Sequence, residues 1–337
     1  MQRWPGSTPP SMSTRRASRR SPPASSRRSR WSDPTLTRAG GERCLRLSRE
    51  AFMSTLKVAV AQIHCEPADL AANLAAHRDA IARARGEGAE LLLFPELSLT
   101  GYLAAPDCEA LALGHDADLL TRLAEAADGI MVSAGFIERG EKGRFFNSQG
   151  LFRDGKLLAV HRKLNLPGYG ALREDRVYAR GSGLASVELA AGWCAATLIC
   201  ADAWNPALPW LAALGGANLL LLPAASALGA VGDGFDNPRG WAINLAHTAM
   251  TYGLPTLFAN HCGTRGGAAF WGGSRILDAS GHELARAGAG PGLIVAKLSQ
   301  ADGEAARRRL PTARDSDPAL VGELLRSLIS NSESMRS

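Results

Sequence analysis

Short, almost wholly apolar runs constrain this chain more than any other feature: LLLF at 91–94, LLAV at 157–160, AATLI at 195–199 and LLLL at 219–222. Each reads as a strand, continuous and apolar in LLLF and buried in LLLL. Segments with helical spacing lie among them, over 73–85 (closed by Gly86 and Gly88), 118–127, 204–215, 238–250 and 317–329. Further strands are expected over 56–63, 130–137, 148–153, 157–162, 193–200, 219–223 and 255–260, with strand-like texture from about 272 to 298. Asp154-Gly155 marks a hairpin turn between two of them. Strands that alternate with helices but also occur in adjacent pairs predict an α/β layered fold with mixed sheets.

Composition separates a tail from this body. Residues 1–52 hold 12 Arg, no Lys and three acids, a balance of +9, so the remainder carries −3 of the formal +6. The basic character therefore belongs to the tail, and nucleic-acid binding by the body is not expected. The tail is rich in Ser, Pro and Arg without hydrophobic periodicity, which predicts disorder. Three readings compete for it: a nucleic-acid arm, an organelle leader, or a start placed too early, with the protein opening at Met53 where MSTLKVAVAQ runs straight into a strand. The last is preferred. Residues 53–337 then form one domain. No run of about 18 apolar residues is present, so no membrane span is expected. The six Cys form no CxxC pair and the seven His no HExxH, which predicts a reducing, cytoplasmic compartment and no structural metal; no cofactor is expected.

Three reactive side chains follow apolar strands: Glu96 after LLLFP, Lys163 after LLAVHR and Cys200 after AATLI. Reactive groups collect outside the carboxyl ends of strands in open α/β folds. A lone strand-end Cys is more often a small core residue, and Cys194 and Cys262 are read that way. A lone Glu or Lys there is more often a solvated charge. An acid, an amine and a thiol in equivalent places of three strands suffice together for acyl transfer from an amide-like carbon. A carboxylate in a dry pocket takes the thiol proton, the sulfur attacks, and the ammonium holds the oxyanion.

The segments LLLFPELSLTGY, HRKLNLPGYGALRE and LICADAW resemble the three signature blocks of the nitrilase, or carbon-nitrogen hydrolase, superfamily, in order across Leu56 to Arg314. The resemblance implies a four-layer αββα sandwich and a Glu–Lys–Cys triad, which falls on Glu96 as base, Lys163 and nucleophile Cys200. It also places a supporting glutamate at Glu174 and an acid at Asp202. KLNLPGYGALREDRVYARG and FWGGSRI are most similar to the glutaminase-like branch found in NAD synthetases and to stand-alone amidases. No SGGxDS-like phosphate loop is present, and about 40 residues after Leu298 are too few for an ATP-using domain, so NAD synthesis is not expected. Tyr102, Tyr169, Ala201 and Trp204 are expected at the substrate pocket. The expected activity is hydrolysis of a small amide to an acid and ammonia or an amine. A nitrilase and an N-carbamoyl amide hydrolase are the alternatives, and a catalytically idle partner-binding sandwich is the rival from another class. The helix after Cys200 resembles a family dimer element, which implies a homodimer or a larger homo-oligomer.

Overall fold

A computed structural model describes residues 54–190 and 192–334. The expectations for residues 1–52 lie outside the described residues. In chain order the strands are β1 (Thr55–Gln62), β2 (Leu91–Leu93), β3 (Met131–Arg139), β4 (Phe145–Arg153), β5 (Lys156–Arg162), β6 (Ser186–Ala190) and β7 (Trp193–Thr197). They continue with β8 (Leu219–Ala224), β9 (Thr256–Asn260), β10 (Cys262–Arg265), β11 (Ala268–Trp271), β12 (Arg275–Leu277), β13 (Glu283–Arg286) and β14 (Gly292–Ser299). The helices are α1 (Leu70–Gly86), α2 (Cys108–Leu111), α3 (Asp118–Ala126), α4 (Ala207–Leu214), α5 (Asn237–Tyr252), α6 (Gln300–Arg309), α7 (Thr312–Asp315) and α8 (Pro318–Ser334).

Two six-stranded mixed sheets result, in the orders β14-β1-β2-β3-β4-β5 and β13-β12-β9-β8-β7-β6. Alternate residues of one strand serve different layers. Val58, Val60, Leu91 and Leu93 pack with Trp193, Leu219, Leu221 and Ile276 of the other sheet, so the sheets meet face to face. Ala59, Ala61, Leu92 and Val132 turn the other way, against Leu74 and Ile81 of α1 and Leu120 and Leu123 of α3. On the far side, Leu220, Leu222 and Phe258 pack on Leu208 and Ala212 of α4 and on Trp241 and Leu245 of α5. The architecture is the αββα sandwich. Both faces of β2 and β8 are covered, which accounts for LLLF and LLLL, whereas LLAV lies in β5 at the edge of its sheet, where Leu158 is 42% exposed.

Several elements differ from expectation. The strand expected to run to Cys200 stops at Thr197, and Cys200–Trp204 forms a 3-10 turn instead. Consequently α4 begins at Ala207, behind Pro206, and Asn205 Oδ1 accepts from Ala207 N at 3.1 Å. The polar stretch before the last helix is itself a helix, α6, whose N-cap Ser299 accepts from Asp302 N at 3.3 Å. It has no apolar stripe to announce it. Its Arg307 donates to Gly253 O at the end of α5. Among the described residues no helix is long and apolar enough to cross a membrane.

Strand direction positions the site. β2 is parallel to β3, β3 antiparallel to β4, and β4 antiparallel to β5, so β2 and β5 end on the same edge of their sheet. Asp154 and Gly155 both have positive φ (49° and 76°), the requirement of a tight hairpin, and this hairpin returns the chain so that Lys163 emerges on that edge.

Candidate active site

Glu96 sits in an irregular segment just after β2, fully buried. The chain turns sharply behind it, with Leu97 at φ 50°. This turn crosses Gly135 of β3 so closely that a Cβ there would run into the Leu97 backbone, and Leu99 N donates to Gly135 O at 2.9 Å. Helix α1 pins it from behind. Asn73 Nδ2 donates to Leu99 O at 3.0 Å, and His77 Nε2 lies 2.9 Å from Ser98 Oγ while Nδ1 donates to Asn73 O. Burial pushes the His77 imidazole down to about 4 despite that carbonyl, so Nε2 accepts from the serine hydroxyl. From the other sheet His261 donates to the Glu96 carbonyl at 2.6 Å.

Lys163 follows β5 and is 1 % exposed. Its Nζ reaches Glu96 Oε1 at 2.6 Å and Glu174 Oε2 at 2.7 Å. Asn147 of β4 donates to Glu96 Oε1 at 2.7 Å, and Tyr102 OH donates to Glu174 Oε1 at 2.8 Å. One ammonium and two carboxylates thus share a dry volume, with a formal balance of −1. Burial alone would lower the Lys163 ammonium, but Glu174 and then Glu96 outweigh it and hold it well above the usual lysine range. Burial raises the Glu174 carboxyl against the pull of Lys163. Burial, reinforced by Glu174, raises the Tyr102 phenol, which stays a donor. Glu96 Oε2 is buried and makes no hydrogen bond among the described residues.

Cys200 opens the 3-10 turn with φ 47°. A left-handed backbone at a non-glycine residue costs about 1–3 kcal/mol and persists only when neighbours enforce it. Asp202 does so. Its Oδ2 accepts from Ile199 N at 3.1 Å, and its Oδ1 from Leu164 N at 3.0 Å and Asn165 N at 2.7 Å. One fully buried carboxylate therefore ties the Cys200 turn to the segment that carries Lys163. Burial and then Glu96 push the Cys200 thiol well above its usual range; Lys163 and a hydrogen bond from Ala225 N–H oppose them and lose. The resting sulfur is a thiol, and a nucleophilic role requires a base at the moment of attack.

Beside the turn opens a cavity of about 280 Å³, lined by residues 165–169, Arg180, Ala201, Trp204 and Asn205. Tyr169, Ala201 and Trp204 thus share one wall system. Tyr102 lies instead against Glu174 and, edge-on, against Phe270. Among the described residues no cluster of His, Cys, Asp or Glu has the make-up of a metal site.

The carbon-nitrogen hydrolase family model matches residues 57–308. The chain belongs to the carbon-nitrogen hydrolase family. An amidase of the nitrilase superfamily from Nesterenkonia sp. AN1 superposes with a TM-score of 0.67 at 30% identity, covering 84% of this chain and 99% of that one. Deaminated glutathione amidase of Rattus norvegicus is 30% identical over 287 residues, 80% of this chain and 84% of the relative. Glutamine-dependent NAD(+) synthetase of Thermotoga maritima is 32% identical over 238 residues, 69% of this chain, and the match spans only 40% of that longer relative.

Sequence reasoning on this carbon-nitrogen hydrolase missed Asn147, His261, Arg180 and Asn205. Asn147 carried a readable signal. It heads Asn147-Ser148-Gln149, three polar residues inside a buried strand, and such a run needs internal partners. His261 and Asn205 carried none, because their partners are fixed by the meeting of distant segments.

Proposed function

We propose that this protein hydrolyses the C–N bond of a small amide through a Cys200 thioester. The observation that carries the reading is the buried Lys163 ammonium held between Glu96 and Glu174, whose combined field acts on Cys200. Glu96 is the base. Its Oε1 is taken by Lys163 and Asn147, while the unpartnered Oε2 receives the thiol proton. The sulfur then attacks the amide carbon, and the oxyanion forms against Lys163 Nζ and the Ala201 backbone N–H. Glu96 returns the proton to the departing nitrogen, ammonia or amine leaves, and an acyl thioester remains. Water gives its proton to Glu96 and attacks the thioester; the carboxylic acid departs and the thiol is restored. Glu174 positions Lys163, and Asp202 positions the nucleophile turn.

The decisive experiment feeds matched amides and nitriles to the wild type and to Cys200→Ala, with ammonia release and intact mass as readouts. The expected result is amide turnover, an acyl adduct of Cys200 trapped by acid quench, and loss of both in the variant. Full turnover by Cys200→Ala, or conversion of nitriles without amides, overturns the reading.

A further inference from the structure

We propose that the cavity beside Cys200 is an anion-recognition subsite with Arg180 as its specificity-determining residue, so that the preferred substrates are amide acids, with the scissile amide at one end and a carboxylate at the other. This rests on the reading of Cys200 as nucleophile.

Arg180, exposed to solvent, is the one charged side chain of the lining, and the nearest carboxylate, that of Asp175, lies against Gly168 of the same wall. Among the described residues Arg180 makes no hydrogen bond or ion pair. Its backbone is nevertheless fixed on both sides: Ala179 N donates to Phe145 O at 2.7 Å, and Gly181 N donates to Lys163 O at 2.9 Å. The guanidinium is therefore a fork of donors on an anchored stem, registered directly to the residue that carries the buried ammonium. Asn205 shares the lining. Its Oδ1 accepts from Ala207 N, which leaves its Nδ2 donors for a ligand. The walls of Tyr169 and Trp204 suit a short methylene chain between the two ends.

Electrostatics explains why a cation is needed there. The cluster of Glu96, Lys163 and Glu174 carries a formal −1 next to Cys200, and a substrate carboxylate brought near it is repelled unless a positive charge offsets the approach. Arg180 supplies that charge.

The test compares kcat/KM for glutaramate and its neutral analogue butyramide, in the wild type and in Arg180→Gln and Arg180→Lys. The wild type is expected to favour glutaramate by about tenfold or more, the worth of one charged hydrogen bond, expressed in KM. Arg180→Gln brings the ratio near unity, and Arg180→Lys keeps part of it. A second arm needs no turnover: glutarate binding measured by calorimetry in the Cys200→Ala protein, with and without Arg180→Gln. Loss of affinity by about tenfold on removing Arg180 supports the subsite even if no amide is hydrolysed, a result that would sink only the catalytic reading. Equal preference for the two amides in the wild type, an unchanged ratio in Arg180→Gln, or glutarate binding that is absent or indifferent to Arg180 overturns the proposal.

Discussion

Glu174→Gln separates the positioning of Lys163 from the chemistry of Cys200. The side chain keeps its shape and its acceptor for the Tyr102 hydroxyl, 2.8 Å away. It loses its charge, and one oxygen facing the ammonium becomes a second donor. Lys163 Nζ now lies 2.9 and 2.7 Å from the two Glu174 oxygens, so the variant must forfeit at least one charged hydrogen bond. Such a bond is worth about 1.5–3 kcal/mol, which is roughly 10- to 150-fold in kcat if Lys163 must be held in place for the transition state. The protein stays folded, because Lys163 retains Glu96 at 2.6 Å and is not left as an uncompensated buried charge. The thiol responds in the opposite sense to turnover. Glu174 is one of the charges that raise it, so its removal moves the pH midpoint of iodoacetamide alkylation downward while kcat falls. A merely loosened site would slow turnover without lowering that midpoint. The assays are ammonia release across neutral pH and alkylation rate followed far enough into alkaline pH to reach the midpoint in both proteins. A kcat within twofold of wild type, or an unmoved alkylation midpoint, refutes the electrostatic role given to Glu174.

Asp202→Ala strips three backbone N–H groups, of Ile199, Leu164 and Asn165, of their acceptor. At about 1–3 kcal/mol for each buried unsatisfied donor, urea unfolding should show a loss of at least about 3 kcal/mol, with activity reduced in the fraction that remains folded; a loss under about 1 kcal/mol denies Asp202 its clamp. His77 is held neutral by burial with its pKa lowered from 6.5 to about 4. The unfolded chain therefore takes up a proton first, and the contribution of this residue, present above pH 6.5, is lost as pH falls towards 4. His77→Gln should flatten the decline of Tm between pH 7 and pH 4 relative to the wild type, and parallel curves for the two proteins contradict the assignment.

The buried strands were legible in the sequence because burial on two faces leaves a mark that one chain segment carries by itself, as in LLLF and LLLL, while the four-layer order was implied by the family resemblance and not by that pattern. Helix α5, expected over 238–250, opens one residue earlier behind its N-cap Asp236 and runs two residues further, to Tyr252, before Gly253 closes it at φ 61°. The true end of β7 was not legible, since nothing in AATLIC says that Asp202, two residues beyond Cys200, will seize the Ile199 N–H and the backbone after Lys163 together. The cluster at Glu96, Lys163 and Glu174 was visible as residue types, but its closure depends on Asn147 and His261 reaching it from two different sheets. Contacts of that kind are properties of the assembled layers, and no local pattern encodes them.

The burial that makes this site costly to form is also what equips it for chemistry. Placing an ammonium and two carboxylates in a dry interior is tolerated only because each charge finds a partner within hydrogen-bond distance. The same dryness keeps the Cys200 sulfur protonated at rest and strengthens every interaction Lys163 makes with charge that develops beside it. A solvated triad would ionise its thiol more easily and stabilise an oxyanion less. On this reasoning the neutral resting thiol is no defect in the nucleophile. Under the proposed mechanism it belongs to a pocket arranged around the transition state, the proton moving to Glu96 only as the sulfur–carbon bond forms.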